Sequence, residues 1–261
     1  MNIATLFDIR GKTALVTGGS GGIGYMIAQG LAEAGCKVFI CSRKADDIEA
    51  AARRLSENGA DVIAIAADLG TEDGIRTVAD TINAAGPLHI LVNNAGATWG
   101  APIDDFPRAG FDKVLKLNLL TPFDLAKALL PALRAAAAAD DPARVINIAS
   151  IDGLKLPQWE SYPYSATKAG LIHMGRHMGK FLARENISVN TIAPGFFPSK
   201  MTGAVLDFDS EDEMAAVASP LGNRLGGVED IAGAVIYLSS RAGAWLTGVT
   251  IPVAGGRGTV E

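Results

Sequence analysis

The chain has 261 residues, 49% of them hydrophobic and 20% charged, with a formal net charge of −5. That length spans one large domain or two small ones and is ample for a buried core. The acidic balance offers no nucleic-acid footprint, since the basic pair Arg53-Arg54 falls inside a helical pattern beside Glu49 and Glu57.

Residues Met1 to Arg10 contain Asp8 and no extended apolar run, so no signal peptide is expected. No apolar stretch approaches the roughly 20 residues that span a bilayer. A soluble, cytoplasmic chain is the expectation. Short β-branched runs then alternate with longer helical patterns, the signature of βαβ units around a parallel sheet. Strands are expected at Thr13–Thr17, Lys37–Cys41, Val62–Ala66, Ile90–Val92, Arg144–Ile148, Ser188–Ile192 and Val249–Val253. Most are almost wholly apolar, as suits strands covered on both faces. Helices are expected at Ile23–Ala34, Asp46–Asn58, Glu72–Ala85, Gly110–Ala138, Tyr164–Glu185 and Val228–Ser239. Gly35, Gly59 and Gly86 follow three of them, where a left-handed C-terminal cap favours glycine. The acidic stretch Phe196–Gly222 interrupts this alternation and reads either as a substrate lid or as an ordinary surface excursion.

Few residues are available for metal chemistry. Cys36 and Cys41 are five apart around an apolar run and read as small buried hydrophobes. His173 and His177 share helical spacing but lack the surrounding carboxylate motif of a zinc site, so no metal is expected.

Two stretches carry chemistry. The first strand runs directly into Thr17-Gly18-Gly19-Ser20-Gly21-Gly22-Ile23-Gly24 and a helix follows. Glycines there let the backbone turn sharply and approach a diphosphate seated on the helix N-terminus. The spacing of Gly18, Gly22 and Gly24 is Gly-x-x-x-Gly-x-Gly, and no Gly-Lys-Ser/Thr of a triphosphatase loop follows. The second stretch is Tyr164-Ser165-Ala166-Thr167-Lys168. Positions i and i+4 share a helix face, so a phenol and an ammonium point the same way. An ammonium beside a phenol is expected to lower the phenol from its reference of about 10, as a general acid near neutrality requires. A Tyr–Lys pair on a solvated face is the alternative. Tyr162 is a competing phenol, but its i+4 residue is Ala166.

Taken together, these stretches resemble the short-chain dehydrogenase/reductase family, whose motifs recur in order over nearly the whole chain. Asn93-Asn94-Ala95-Gly96 follows the fourth strand, Asn118 lies within Lys116-Leu117-Asn118, Ser150 follows the fifth strand and Pro194-Gly195 the sixth. The resemblance implies a doubly wound α/β Rossmann-type fold, with a seven-stranded parallel sheet in the order 3-2-1-4-5-6-7. It also implies hydride transfer between a nicotinamide and a carbonyl or secondary alcohol. Tyr164 would move the proton, and Lys168 would tune Tyr164 and hold the ribose. Ser150 would orient the substrate oxygen, and Asn118 would hold a water linking Lys168 to solvent. The cofactor contacts implied are Gly18, Ser20, Gly22, Ile23, Gly24, Asp68, Leu69, Asn94, Ala95, Gly96, Pro194, Gly195, Phe197 and Ser199, with Tyr164 and Lys168. At the end of the second strand, Ser42 replaces the acidic residue that accepts a ribose 2′-hydroxyl, and Arg43 follows. Arginine pairs with a 2′-phosphate, so NADP(H) is expected over NAD(H), unless Arg43 merely faces solvent. A second basic residue within the glycine loop is lacking, since Gly21 stands there.

Two departures from the family pattern stand out. Ser150 and Tyr164 are 14 apart where many members have 13, and Ala254-Gly255-Gly256 replaces Asp-Gly-Gly. Trp99, Phe106, Ile151, Leu154, Trp159, Phe197 and Met201 lie in segments that border the family's cleft and suggest an apolar pocket, with core or lid packing as the equal alternative for each. Segments 95–102 and 192–202 look similar to bacterial 3-oxoacyl thioester reductases acting on acyl-carrier-protein or coenzyme A substrates. A secondary alcohol, polyol or sterol dehydrogenase, a catalytically inactive NADP-binding regulator and a methyltransferase are the alternatives. The last leaves Tyr-x-x-x-Lys unexplained. A homotetramer or homodimer is expected through the two long helices, with Leu129, Leu130, Leu133, Leu171, Ile172 and Leu182 as their apolar content.

Overall fold

Residues 2–199, 201–204 and 217–258 are described by the computed structural model. Seven strands, Thr13–Thr17 (β1), Lys37–Ser42 (β2), Val62–Ala66 (β3), Ile90–Asn93 (β4), Ala143–Ile148 (β5), Ile187–Pro194 (β6) and Thr250–Val253 (β7), form one parallel sheet. Their order is β3-β2-β1-β4-β5-β6-β7, with Val16 of β1 beside Ile40 of β2 and Val92 of β4. The order reverses between β1 and β4, and an open α/β sheet binds its ligand in the crevice at the carboxyl ends of such a pair.

The helices are Ile3–Leu6 (α1), Gly22–Glu33 (α2), Ala45–Ser56 (α3), Glu72–Ala85 (α4), Arg108–Leu115 (α5), Thr121–Ala128 (α6), Leu130–Ala136 (α7), Tyr162–Leu182 (α8) and Val228–Ser239 (α9). Successive strand residues alternate between two cores, because side chains on a strand point to opposite faces in turn. Val16, Ile40 and Val92 pack with Ile27 and Leu31 of α2, Ile48 of α3, and Val235 of α9. Leu15, Phe39 and Leu91 face the other way, onto Val78 and Ile82 of α4, Leu125 of α6 and Leu133 of α7. No helix among the described residues is long and apolar enough to cross a membrane.

Helices α2 and α9 approach closely at Gly30, where an added Cβ would stand 2.3 Å from Cβ of Ala232. Gly30→Ala would gain about 1 kcal/mol of helix propensity against an overpacking cost of about 1–3 kcal/mol. A lowered thermal unfolding temperature is the expected outcome, with part of the loss recovered in the Gly30→Ala/Ala232→Gly double variant.

The long helix expected over Gly110–Ala138 is broken. Lys116–Leu120 form a π-helical turn between α5 and α6, in which the Thr121 N–H bonds the Lys116 carbonyl five residues back. Pro122 explains the break, since without an N–H it cannot bond the Asn118 carbonyl four residues earlier. Pro131, near the start of α7, brings a second interruption at Leu129. The apolar residues expected to serve assembly also behave differently. Leu129, Leu133, Leu171 and Ile172 are buried within the chain, and Leu130 and Leu182 pack against its core. Phe111, Leu120, Phe123 and Phe181 are the exposed apolar side chains of that region. Of the stretch 196–222, residues 202–204 form one 3₁₀ turn, while Lys200 and residues 205–216 lie outside the described residues.

Candidate active site

The site is built at the carboxyl ends of β1, β4, β5 and β6. β1 ends at Thr17, whose buried hydroxyl accepts the N–H groups of Asn94 at 2.8 Å and Ala95 at 2.9 Å. The Asn94 side chain returns a bond to the Thr17 carbonyl at 2.8 Å. These bonds hold the segment after β4 against the glycine loop. Gly18 and Gly22 have φ of +70° and +54°, the left-handed region that glycine adopts without strain. Gly21 precedes α2 and provides no side-chain cap, which leaves the first N–H groups of the helix to an anion. A cavity of about 260 Å³ opens there, lined by the loop from Gly18 to Gly24, by Asn94, Ala95 and Gly96, and by Tyr164, Lys168 and Ser199. Its lining by a glycine loop at a helix N-terminus suits a diphosphate. Ser20 and Ser42 share a hydrogen bond at 3.1 Å between their hydroxyls, and exposed Arg43 stands next to them.

Helix α8 presents Tyr164 and Lys168 on one face. Lys168 is buried, donates to the Ile148 carbonyl at 2.8 Å and stands 5.5 Å from the Tyr164 ring centroid. The Tyr164 hydroxyl is hydrogen-bonded to Ser150, whose oxygen also accepts the Asp152 N–H at 3.1 Å. Buried Asn118, in the π turn, accepts the Ala97 N–H at 2.8 Å and donates to the Ala97 carbonyl at 2.9 Å. A Cβ on Gly96 would lie 3.2 Å from the Asn118 side-chain oxygen and 3.7 Å from the Lys168 ammonium, so Gly96 lets these groups close up.

The expected fall of the phenol pKa is not what this geometry produces. Burial pushes the Tyr164 phenol up to about 12, opposed by its bond to Ser150 and reinforced by the Asp152 carboxyl. Burial also lowers the Lys168 ammonium to about 8. Desolvation disfavours the charged form of both groups. The ammonium is committed to the Ile148 carbonyl and lies over the ring rather than at the phenolic oxygen, so it does not offset that burial.

Beyond Tyr164 lies a second cavity of about 470 Å³, lined by residues that include Ser150, Ile151, Trp159, Gly195, Phe196 and Met201. Trp159 and Phe196 meet edge to face at 5.8 Å, and the Ala101 N–H bonds the Glu160 carbonyl at 3.2 Å across its mouth. Tyr164 and Met201 line both cavities, so the phenol stands where they join.

A sequence profile of the short chain dehydrogenases matches residues 12–210. This chain belongs to the short-chain dehydrogenase family. It is 46% identical over 251 residues to the rhamnolipids biosynthesis 3-oxoacyl-[acyl-carrier-protein] reductase of Pseudomonas aeruginosa, covering 96% of this chain and 97% of that protein. The structure of the Pseudomonas aeruginosa RhlG/NADP active-site complex superposes with a TM-score of 0.92 at 44% identity, covering 99% of this chain and 100% of the other. The 5-keto-D-gluconate 5-reductase of Escherichia coli strain K12 is 31% identical over 252 residues, covering 96% of this chain and 97% of that protein.

Within this short-chain dehydrogenase, most residues expected around the cofactor line one cavity: Gly18, Ser20, Gly22, Ile23, Gly24, Asn94, Ala95, Gly96, Tyr164, Lys168 and Ser199. Others stand apart from it. Asp68 turns the chain into α4, its carboxyl accepting the Gly70 N–H at 2.9 Å, and buried Leu69 accepts the Thr121 hydroxyl at 2.9 Å through its carbonyl. Pro194 ends β6, and Gly195 lines the second cavity. Phe197 differs from the expectation: its ring is 2% exposed and packs over Gly226, where a Cβ would come within 2.3 Å. Of the apolar candidates, Ile151, Trp159 and Met201 line the substrate-side cavity. Trp99 instead packs over Gly110, Phe106 packs against Phe111 and Tyr162, and Leu154 is exposed. Thr98, Phe196 and Thr202, from segments 95–102 and 192–202, also line the cavity, as does Asp152, which was not singled out because it belongs to no spaced motif.

Proposed function

We propose that this short-chain dehydrogenase is an NADP(H)-dependent ketoreductase acting on 3-oxoacyl-type substrates. The observation that carries the reading is the hydrogen-bonded Tyr164–Ser150 pair, placed between a cavity lined by the glycine loop and a largely apolar one. A nicotinamide dinucleotide held by the glycine loop, Asn94 and Lys168 would supply the hydride. The protein's residues handle the oxygen. Ser150 orients the carbonyl, and Tyr164, which burial keeps in the protonated form a donor needs, delivers a proton to the oxygen as negative charge develops there. Lys168, which lines the glycine-loop cavity, would hold the ribose hydroxyls. Asn118 has its side-chain amide committed to Ala97, so a water connecting Lys168 to solvent would sit at its main-chain carbonyl, to which Pro122 offers no N–H. The 46% identity to a 3-oxoacyl-[acyl-carrier-protein] reductase supports this substrate class.

For the cofactor, Ser42 and Arg43 form an edge without a carboxylate, which suits a 2′-phosphate. NADPH is expected to exceed NADH in kcat/KM by about 10- to 100-fold, the span of one charge-assisted hydrogen bond. Arg43→Glu should remove that preference by raising KM for NADPH. A wild-type preference for NADH would refute the assignment. A panel of 3-oxoacyl thioesters, 3-oxo esters, polyols and sterols, run in both directions, tests the substrate class. Best turnover on a polyol or sterol would replace it.

The exposed Phe111, Leu120, Phe123 and Phe181 support assembly as a homotetramer or homodimer, since a second copy would cover them. Light scattering at working concentration tests it, and a monomer would exclude it. Cys36 and Cys41 are buried free thiols, in keeping with a cytoplasmic enzyme.

A further inference from the structure

Glu160 and Asp152 are the only ionisable side chains besides Tyr164 among the described residues that line the substrate-side cavity, and neither is basic. Asp152 is the inner of the two. It lies two residues beyond Ser150 in the 3₁₀ turn Ile151–Gly153, and its own N–H bonds the Ser150 hydroxyl. That turn packs directly against α8: a Cβ on Gly153 would stand 2.7 Å from the Lys168 carbonyl carbon, so only glycine allows so close an approach. The side chain is half-buried, and its charge is felt at the Tyr164 hydroxyl. Lys155 acts on Asp152 from the same loop, but burial outweighs it. Glu160 is exposed, and its carboxyl bonds the Tyr162 phenol outside the cavity.

We propose that Asp152 is a specificity-determining residue that excludes ketones carrying a carboxylate close to the reacting carbonyl and so restricts the site to neutral esters and thioesters. A substrate whose carbonyl oxygen meets Ser150 and Tyr164 has its neighbouring carbons beside the turn 151–153. A carboxylate on those carbons faces a second carboxylate in a partly desolvated cavity with no lining cation among the described residues. A neutral ester or thioester at the same place meets no such repulsion. The inference rests on the ketoreductase reading and deepens it.

The test compares ethyl acetoacetate with acetoacetate at pH 8. They share the 3-oxobutanoyl skeleton, and only the second is an anion. The wild type should favour the ester in kcat/KM. Asp152→Asn should shrink the ester-to-acid ratio by about tenfold or more, as expected for two charges several ångströms apart in a partly buried site. Asp152→Glu, which keeps the charge, should preserve the wild-type preference. The ratio cancels any general effect of the substitution on Tyr164, because both substrates use the same acid. Asp152→Ser provides a second neutral variant should Asn misfold, and circular dichroism with NADPH binding establishes that the variant compared is folded. An unchanged ratio in a folded neutral variant overturns the assignment, as does a shift produced by Glu160→Gln alone. Failure of the wild type to reduce the ester or its N-acetylcysteamine thioester overturns the ketoreductase reading itself.

Discussion

Tyr164→Phe is expected to lower kcat by about 10²- to 10⁴-fold, the usual contribution of a positioned general acid, while leaving NADPH affinity nearly unchanged. The substitution removes one oxygen and keeps the ring that Lys168 covers at 5.5 Å. The cavity floor should therefore keep its shape, with Lys168 still held by the Ile148 carbonyl. What disappears is the hydroxyl bonded to Ser150, and with it the proton source for the developing alkoxide. Tyr162 cannot replace it, being 40% exposed and packed on Phe106 at 5.8 Å. Single-turnover reduction with NADPH, followed by loss of nicotinamide absorbance, measures the chemical step apart from product release. Ser150→Ala should also slow reduction, and the Tyr164→Phe/Ser150→Ala double variant should lose less than the product of the two effects, because both act on one oxygen. Near-normal turnover in Tyr164→Phe would remove the phenol from the mechanism.

The sheet was legible because each strand is an apolar run with little ambiguity of period, as at Thr13–Thr17 and Lys37–Ser42. The phosphate loop and the Tyr164–Lys168 pair were legible because fixed spacing on a regular element determines direction. Properties set by long-range packing were not. The break at Lys116–Leu120 depends on Pro122, but its placement beside Ala97 depends on an amide reaching across 21 residues of chain. The direction of the Tyr164 shift depends on how much water the fold removes from the phenol, which no spacing rule contains. Asp152 was invisible for a related reason. It lies in an irregular loop, and its meaning arises only when the turn is packed against α8. The aromatic candidates divide for the same reason: Trp159 lines the cavity, whereas Trp99 and Phe197 take the packing alternative, each filling space over a glycine, Gly110 and Gly226 respectively.

Gly24→Ala should weaken NADPH binding by about 100-fold or more and lower the unfolding temperature, the larger of the effects expected in the phosphate loop. A Cβ there would stand 2.3 Å from the Gly18 carbonyl oxygen and 2.4 Å from the Asn94 side-chain nitrogen. The first contact is backbone, so it cannot be relieved by turning a side chain. The second breaks the bond through which Asn94 holds the Thr17 carbonyl. Either helix α2 must lift from the loop or the loop must shift towards the cavity, and both displace the N–H groups aimed at the diphosphate. Gly21→Ala isolates the second role of glycine in this loop. Gly21 has φ of −179°, extended backbone open to any residue, and a Cβ there meets nothing within 4 Å. That variant should unfold at the wild-type temperature, and any loss of NADPH affinity in it reports only the close approach of the cofactor to the backbone. Calorimetric titration with NADPH beside thermal unfolding separates the two cases. A Gly24→Ala protein with wild-type affinity and stability would show that the loop and α2 move apart freely, contrary to the packing at Gly18 and Asn94.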